Sequence, residues 1–329
     1  MSARKMHVDE LDIDVALVRR LLSAQFPDWA DLSIRPVRSS GSDNAMFRLG
    51  DDLAVRLPRR VGRTVESLEK ECVWLPRLAP SLPLAVPVPL AMGAPDDGYP
   101  CGWAVYRWLE GETATVTNIA DSRQAAEDLA DFLAALQGID TTGAPSTGEH
   151  NFFRGVPLAR RDEGVRSAIA SLSGELDVWA VTAAWEAALE APDWDGPPLL
   201  IHGDLSDGNL LAHRGRLSGV IDWGGIAAAD PACDFMVAWS FLDRDARDRF
   251  RATLQIDDAT WARARGWALS VALIALPYYR TTNPVRVAVS WRRVGEVLAD
   301  PAPGRELRDH AVERPRSPIE IDPVDEQRG

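Results

Sequence analysis

Cysteine is scarce in this chain of 329 residues: Cys72, Cys101 and Cys233 stand far apart. They offer neither a disulfide framework nor a metal-ligand spacing, and such usage implies a reducing, cytoplasmic compartment. No apolar run approaches the ~20 residues that a membrane-spanning helix needs. The segment Met1 to Glu10 is charged and lacks the apolar stretch of a secretory signal. No membrane partner is therefore expected. Basic residues are outnumbered, with 36 Lys and Arg against 49 Asp and Glu, a net charge of −13. A chain of that sign repels a phosphate backbone, which excludes nucleic acid from the expected partners. No internal repeat is present. The remaining composition, 46% hydrophobic and 26% charged, excludes collagen-like, low-complexity and wholly disordered chains. At one domain per roughly 150 residues, the length suggests two domains or lobes.

The negative excess is unevenly spread. Residues 1–120 hold 14 basic and 16 acidic side chains, residues 121–200 hold 5 and 14, and the remainder holds 17 and 19. Segment 121–200 thus carries net −9. Two readings are open: solvated helix faces, or an attractive field for a cationic ligand.

Along the chain, Ile13 to Phe26 reads as an amphipathic helix, with Val15, Val18, Leu21, Leu22 and Phe26 at helical spacing and Pro27 after its end. Ser33–Arg38, Ala45–Leu49 and Leu53–Pro58 are short and strand-like, and Gly50-Asp51-Asp52 has the composition of a hairpin connection. A second helix is expected over Thr64–Leu75, striped by Val65, Leu68, Cys72 and Leu75 and ended or kinked by Pro76. Val86–Leu90 and Trp103–Trp108 are extended. Pro87 and Pro89 confine the first to an edge strand or a connection. From residue 121 the pattern turns helical: Asp121 or Ser122 can cap a helix with the stripe Ala126, Leu129, Leu133 and Leu136, and further helices are plausible near 159–172, near 178–190 and up to about 300. A strand interlude interrupts at Leu199–Ile201, Asn209–Leu211 and Leu217–Ile221. The expected organisation is a strand-rich lobe over 1–108, a linker near 108–112, a helical lobe over 109–300 and a Pro-rich, charged, flexible tail over 301–329. Ligands often bind where two such lobes meet.

One segment carries chemistry. In Leu200-Ile-His-Gly-Asp-Leu-Ser-Asp-Gly-Asn-Leu-Leu211, Asp204 and Asn209 lie five residues apart on a loop between apolar runs. In Gly219-Val-Ile-Asp-Trp-Gly224, an apolar strand ends on Asp222. Two acids and an amide converging at the end of a small sheet suit Mg²⁺, which takes a few protein oxygens and leaves the rest of its shell to water and substrate phosphates. Asp207 with Gly208 reads as a turn.

His202-x-Asp204-x4-Asn209 resembles the catalytic loop of the protein-kinase-like fold, and Asp222-Trp223-Gly224 its Asp-Phe-Gly metal motif. His-Gly-Asp-Leu, in place of His-Arg-Asp-Leu, is similar to the aminoglycoside phosphotransferases and related small-molecule kinases, as are Leu-Ala-Val-Arg-Leu-Pro58 and Ala232-Cys-Asp-Phe235. The resemblance covers about residues 30–300. It implies an α+β fold of two lobes, a small antiparallel sheet and a larger helical lobe. It further implies Asp204 as the base for a substrate hydroxyl, Asn209 and Asp222 as Mg²⁺ ligands, and His202 and Asp234 as supports of the loop. Ser40-Gly-Ser-Asp-Asn44 occupies the place of the phosphate-covering loop without its full glycine pattern, so Ser42 and Asn44 are the expected contacts there. Arg56 stands where the family has a phosphate-holding Lys, with Glu71 as its helical partner and Glu69 as runner-up. The backbone of Arg107 and Leu109 would meet the purine of ATP or GTP. The implied reaction moves the γ-phosphoryl group to a hydroxyl of a small molecule, most simply an antibiotic such as an aminoglycoside, a macrolide or a nucleoside antibiotic. A silent nucleotide-binding module is the alternative, favoured by Arg56 alone. A protein kinase ranks lower, because no Ala-Pro-Glu-like segment and no long activation loop follow Asp222. Asp230, Asp234, Trp239 and Asp243 lie near the site in order but are open to core or capping roles.

Overall fold

Alternating apolar residues in short runs bounded by turn residues build a sheet, and in the computed structural model, which describes residues 10–37, 44–61, 64–96 and 98–300, they do so first. Strands β1 (Ile34–Val37), β2 (Asn44–Leu49), β3 (Leu53–Pro58), β4 (Pro89–Gly93) and β5 (Trp103–Arg107) form an antiparallel sheet in the order β1-β2-β3-β5-β4. Helix α1 (Val15–Gln25) is capped by Asp14, whose Oδ1 accepts from the Leu17 N–H at 2.8 Å. It buries Leu17, Val18, Leu21 and Leu22 in a core shared with Phe47, Leu49, Val55, Leu57 and Trp103. The expected edge segment is displaced: β4 starts at Pro89, where a missing N–H is tolerated at a strand's first residue. Upstream, Ala85 instead bridges to the second half of the chain, its N–H donating to Ser218 and its carbonyl accepting from Val220.

Helix α2 (Thr64–Leu78) follows β3 and runs through Pro76, three residues beyond the end expected from sequence. Proline here removes one hydrogen bond in the last turn, while Trp74, Leu75 and Leu78 are buried and hold that turn in place.

The second lobe is helical. Its helices are α3 (Ser122–Gln137), α4 (Asp162–Ser171), α5 (Val178–Leu189), the single turns α6 (Ala232–Phe235) and α7 (Val237–Ser240), then α8 (Arg244–Thr253), α9 (Asp258–Tyr279) and α10 (Pro284–Ala299). Asp121 caps α3, accepting from the Arg123 and Gln124 N–H groups. The 22-residue α9 is buried along most of its length, among α4, α5, α6 and α10. Strands β7 (Leu199–Ile201), β8 (Leu210–His213) and β9 (Arg216–Val220) stand close to where the sequence placed them. Two strands escaped the sequence pattern: β6 (Glu112–Thr113), which pairs with β8 inside the expected linker, and β10 (Ala227–Ala229), which pairs with β7. At two and three residues they are too short to show a period. The two-lobe α+β fold is the expected one. Ser42 and the 301–329 tail lie outside the described residues. No helix among those described is long and apolar enough to cross a membrane.

Candidate active site

The loop between β7 and β8 is shaped from below by Asp234. This carboxylate is fully buried, and its two oxygens accept from the His202 N–H at 2.6 Å and the Gly203 N–H at 2.9 Å. Burial pushes its carboxyl up, opposed by His202 and by the two backbone donors. Gly203 has φ +82°, and a Cβ there would lie 2.3 Å from the Gly225 carbonyl oxygen, so only glycine fits. His202 is fully buried beside Trp223, ring centroids 4.7 Å apart. Its Nδ1 accepts from the Asp204 N–H at 3.2 Å, which leaves Nε2 to donate to the Ile221 carbonyl at 3.0 Å. His202 and Asp234 thus sit under the loop, tying it to the strand that delivers Asp222. Asp234→Asn sets an NH₂ group against one of the two backbone donors; a loss of about 1–3 kcal/mol in thermal or denaturant unfolding is expected, and unchanged stability would refute the brace.

Above the brace, the expected residues converge. Asn209 ends a short helical turn over Asp207–Asn209. Its Nδ2 donates to the Asp204 carbonyl at 2.9 Å, which leaves Oδ1 without a partner among the described residues. Its own carbonyl accepts from the Ile221 N–H at 2.9 Å, which ties the Asp204–Asn209 loop to the Asp222 segment. Asp222 adopts a left-handed backbone, φ +65°, and its side chain remains 52% exposed to the cleft. Partial loss of water at the foot of the cleft raises its carboxyl, Arg56 opposes this, and Glu71 and Asp204 add to it. Two oxygen donors, Asn209 Oδ1 and the Asp222 carboxylate, are a donor set that fits Mg²⁺ completed by phosphate and water.

The sheet lobe brings a second set to the same cleft. Arg56 Nη1 lies 2.8 and 2.7 Å from the two oxygens of Glu71, and the Tyr106 hydroxyl donates to the same carboxylate at 2.8 Å. Glu71 is fully buried, whereas Glu69 is exposed. Burial works against the Arg56 charge, but Glu71, Tyr106 and Asp222 together outweigh it and hold the guanidinium protonated. Arg56 Nη2 is 3.7 Å from Asp222 Oδ1, a link between the lobes. The Asn44 amide, with its oxygen turned to Arg56, accepts from Nε and Nη2 at 3.1 Å each. That oxygen is therefore committed to Arg56 and reaches a phosphate only through it. In the connecting strand the Arg107 N–H is spent on the Val88 carbonyl at 3.3 Å, while the Leu109 N–H has no partner among the described residues.

Sequence reading missed several residues here. Arg154 Nη2 lies 3.2 Å from Asp204 Oδ1, on a loop some fifty positions earlier with no motif around it. Lys70 donates to the Gly224 carbonyl at 2.7 Å, pinning α2 to the Asp222 turn. Asp207, read as a turn former, also binds Arg292 of α10 at 2.9 Å. Asp230, Trp239 and Asp243 resolve to structure: Asp230 pairs with Arg263 at 2.8 Å, Trp239 is fully buried, and Asp243 caps α8.

A sequence profile of the phosphotransferase enzyme family matches residues 33–267. The chain belongs to that family. An aminoglycoside 3'-phosphotransferase of Escherichia coli is 27% identical over 184 residues, 55% of this chain and 66% of the relative. The aligned region thus falls just short of two thirds of that relative's length. Among solved structures, the GDP complex of wild-type aminoglycoside 2'-phosphotransferase-IIIa superposes with a TM-score of 0.69 at 20% identity, covering 87% of this chain and 99% of that one. Macrolide 2'-phosphotransferase MphH from Brachybacterium faecium gives 0.57 at 20% identity, covering 89% and 99%. At such identities the superpositions establish the fold of this family member: the kinase-like arrangement of sheet lobe and helical lobe.

Proposed function

We propose that the protein transfers the γ-phosphoryl group of ATP or GTP to a hydroxyl group of a small molecule in the cytoplasm. The observation that carries this is the 3.7 Å approach of Arg56 to Asp222, which sets a phosphate-holding cation against a metal-binding carboxylate with Asp204 close by. Asp204 accepts the hydroxyl proton, the hydroxyl oxygen bonds to the γ-phosphorus, and the bond to the β,γ-bridging oxygen breaks, releasing the nucleoside diphosphate. Asn209 and Asp222 would hold Mg²⁺, which neutralises charge on the phosphates. Leu109 offers its free N–H, and Arg107 its carbonyl, to the purine. The lobes divide near residue 108. The silent-module alternative rested on Arg56, and Arg56 is paired with Glu71 as a working phosphate cation would be.

Aminoglycoside and macrolide antibiotics, named for the relatives, and nucleoside antibiotics are rich in hydroxyls and make up the first acceptor class. The charge of segment 121–200 does not select among them. Five of its fourteen carboxylates cap α3 and α5, through Asp121 and Asp177, or pair outward, Glu127 with Arg249, Asp128 with Arg216 and Glu175 with Arg280. These five serve the helical scaffold, which favours the reading of the charge as helix faces.

The direct test is nucleotide turnover with ATP and with GTP against these antibiotics and a protein acceptor, read by mass. A gain of one phosphoryl group on a small molecule is expected; transfer only to protein, or none, overturns the proposal. Within it, Asp222→Ala is expected to weaken Mg²⁺-dependent nucleotide binding more than Asn209→Ala, since it removes a charge as well as a ligand. Titrations with and without Mg²⁺ check this, and wild-type binding by both variants would remove them from the metal site.

A further inference from the structure

The Asp204 side chain keeps 37% of its surface exposed. The terminal torsion of an aspartate is broad and roughly two-fold, so a carboxylate left to itself would sample many orientations. Here each oxygen meets a donor from a different segment. Asn209 Nδ2 approaches Oδ2 at 3.4 Å from the end of the catalytic loop, and Arg154 Nη2 lies 3.2 Å from Oδ1. The Asn209 contact is the weaker of the two, because that amide donates chiefly to the Asp204 carbonyl at 2.9 Å. A carboxylate oxygen can accept at two positions, so both oxygens keep room for an incoming hydroxyl.

Arg154 is itself held firmly. Its side chain is only 13% exposed, and Nη1 rests 3.7 Å from the Met236 sulfur. The buried Asn151 donates from Nδ2 to the Arg154 carbonyl at 3.3 Å and to the Gly225 carbonyl, three residues beyond Asp222, at 3.4 Å. On the other side Gly155 has φ +81°, and a Cβ there would lie 2.4 Å from the Ala229 Cβ and 3.0 Å from Ile201 Cδ1. The chain after Arg154 therefore presses on β7, the strand that leads into the catalytic loop. Between these anchors Phe152 and Phe153 both adopt left-handed conformations, φ +55° and +54°. Such strain costs of order 1–3 kcal/mol per residue, persists only where the surroundings fix it, and clusters at functional sites. Two further buried cations, Arg161 and Arg293, are drawn down to about 10 by burial and feel the charge of Arg154. Of the three, Arg154 is the one in ion-pair contact with Asp204.

We infer that Arg154 is a positioning residue for phosphoryl transfer: its guanidinium fixes the rotation of the Asp204 carboxylate so that an oxygen is presented to the acceptor hydroxyl. This rests on the phosphotransfer reading and adds to it a part supplied from outside the catalytic loop. The proton and the phosphoryl group move as written above, and Arg154 takes neither. Misplacing a reacting group by about 1 Å can cost about 10²-fold in rate, so a single contact of this kind has a large effect on turnover and little on nucleotide binding.

The test follows transfer to water, as inorganic phosphate released from Mg²⁺–ATP or Mg²⁺–GTP in a single turnover, and transfer to any antibiotic that the wild-type protein phosphorylates. Arg154→Gln is expected to slow transfer by about tenfold to a hundredfold, with the nucleotide Kd within about twofold of wild type and a cooperative melting curve. Arg154→Lys keeps the charge without the fork and is expected to fall between the two. In the Asp204→Asn background, adding Arg154→Gln is expected to slow transfer by no more than about twofold further, because residues that act as a unit are not additive. Wild-type transfer by folded Arg154→Gln overturns the inference and leaves phosphotransfer standing. So does a full further loss of about tenfold in the double variant, which would place the action of Arg154 elsewhere than on the carboxylate. If Arg154→Gln does not fold, Arg154→Lys carries the comparison, and wild-type transfer by it overturns the inference. A wild-type protein that transfers to no acceptor, water included, overturns the phosphotransfer reading itself and with it the step that Arg154 would serve.

Discussion

Replacing Asp204 by Asn is expected to lower acceptor phosphorylation by about 10²–10⁴-fold, the range that a positioned general base supplies, with nucleotide affinity changed little. The carboxylate touches Arg154 and Asn209, and among the described residues no group of the sheet lobe lies in hydrogen-bond contact with it. An amide of the same shape keeps an oxygen for Arg154 but cannot take the hydroxyl proton. Removing the charge leaves Arg154 less well paired, so a melting curve must accompany the kinetics to show that the folded population is unchanged. Single-turnover transfer and a nucleotide titration then separate the two effects. Near-normal transfer by Asp204→Asn would remove the base from Asp204, whereas a parallel loss of nucleotide binding would place it in the phosphate site.

Arg56→Ala is expected to damage both stability and transfer. Glu71 is wholly buried and, once Arg56 is gone, keeps only the Tyr106 hydroxyl as a side-chain partner among the described residues. Breaking a buried ion pair from one side costs about 3–5 kcal/mol, so a large fall in melting temperature should accompany a severe loss of transfer. Arg56→Lys restores a positive charge opposite Glu71 and Asp222 and should recover part of both. It cannot recover all, because the fork that meets both Glu71 oxygens and the Asn44 amide is reduced to a single ammonium. If Arg56→Ala melts and turns over like wild type, the phosphates are held by other groups. If Arg56→Lys behaves like Arg56→Ala, the geometry of the guanidinium matters more than its charge.

Much of this site was legible in the chain because its parts are local. His202, Asp204 and Asn209 belong to one loop whose spacing is set by its own backbone, and Asp222 follows directly after the β8–β9 hairpin, so motif and geometry coincide. The same holds for β2, β3 and β5 and for α3, where alternation, helical stripe and an Asp cap act over a few residues. Glu71 could be preferred over Glu69 from the border of the apolar stripe, but the burial that makes it the partner of Arg56 exists only when α2 lies on the sheet. Arg154, Arg161 and Arg293 carry no local mark. Arg154 meets Asp204, Arg293 approaches Asp207 and Arg161 meets Ser270 across about fifty to more than a hundred positions, and such pairs depend on how the helical lobe stacks, which no short window encodes. The extension of α2 through Pro76 and the two shortest strands have the same origin, since packing outweighed propensity in the first and supplied the pairing partner in the others. The sequence by itself determined the two-lobe fold and singled out the residues that this fold brings together at the cleft. Tertiary structure alone decided the charge around Asp204, because a net of −13 summed along the chain does not say which charges are spent on helix caps and which are buried beside that carboxylate.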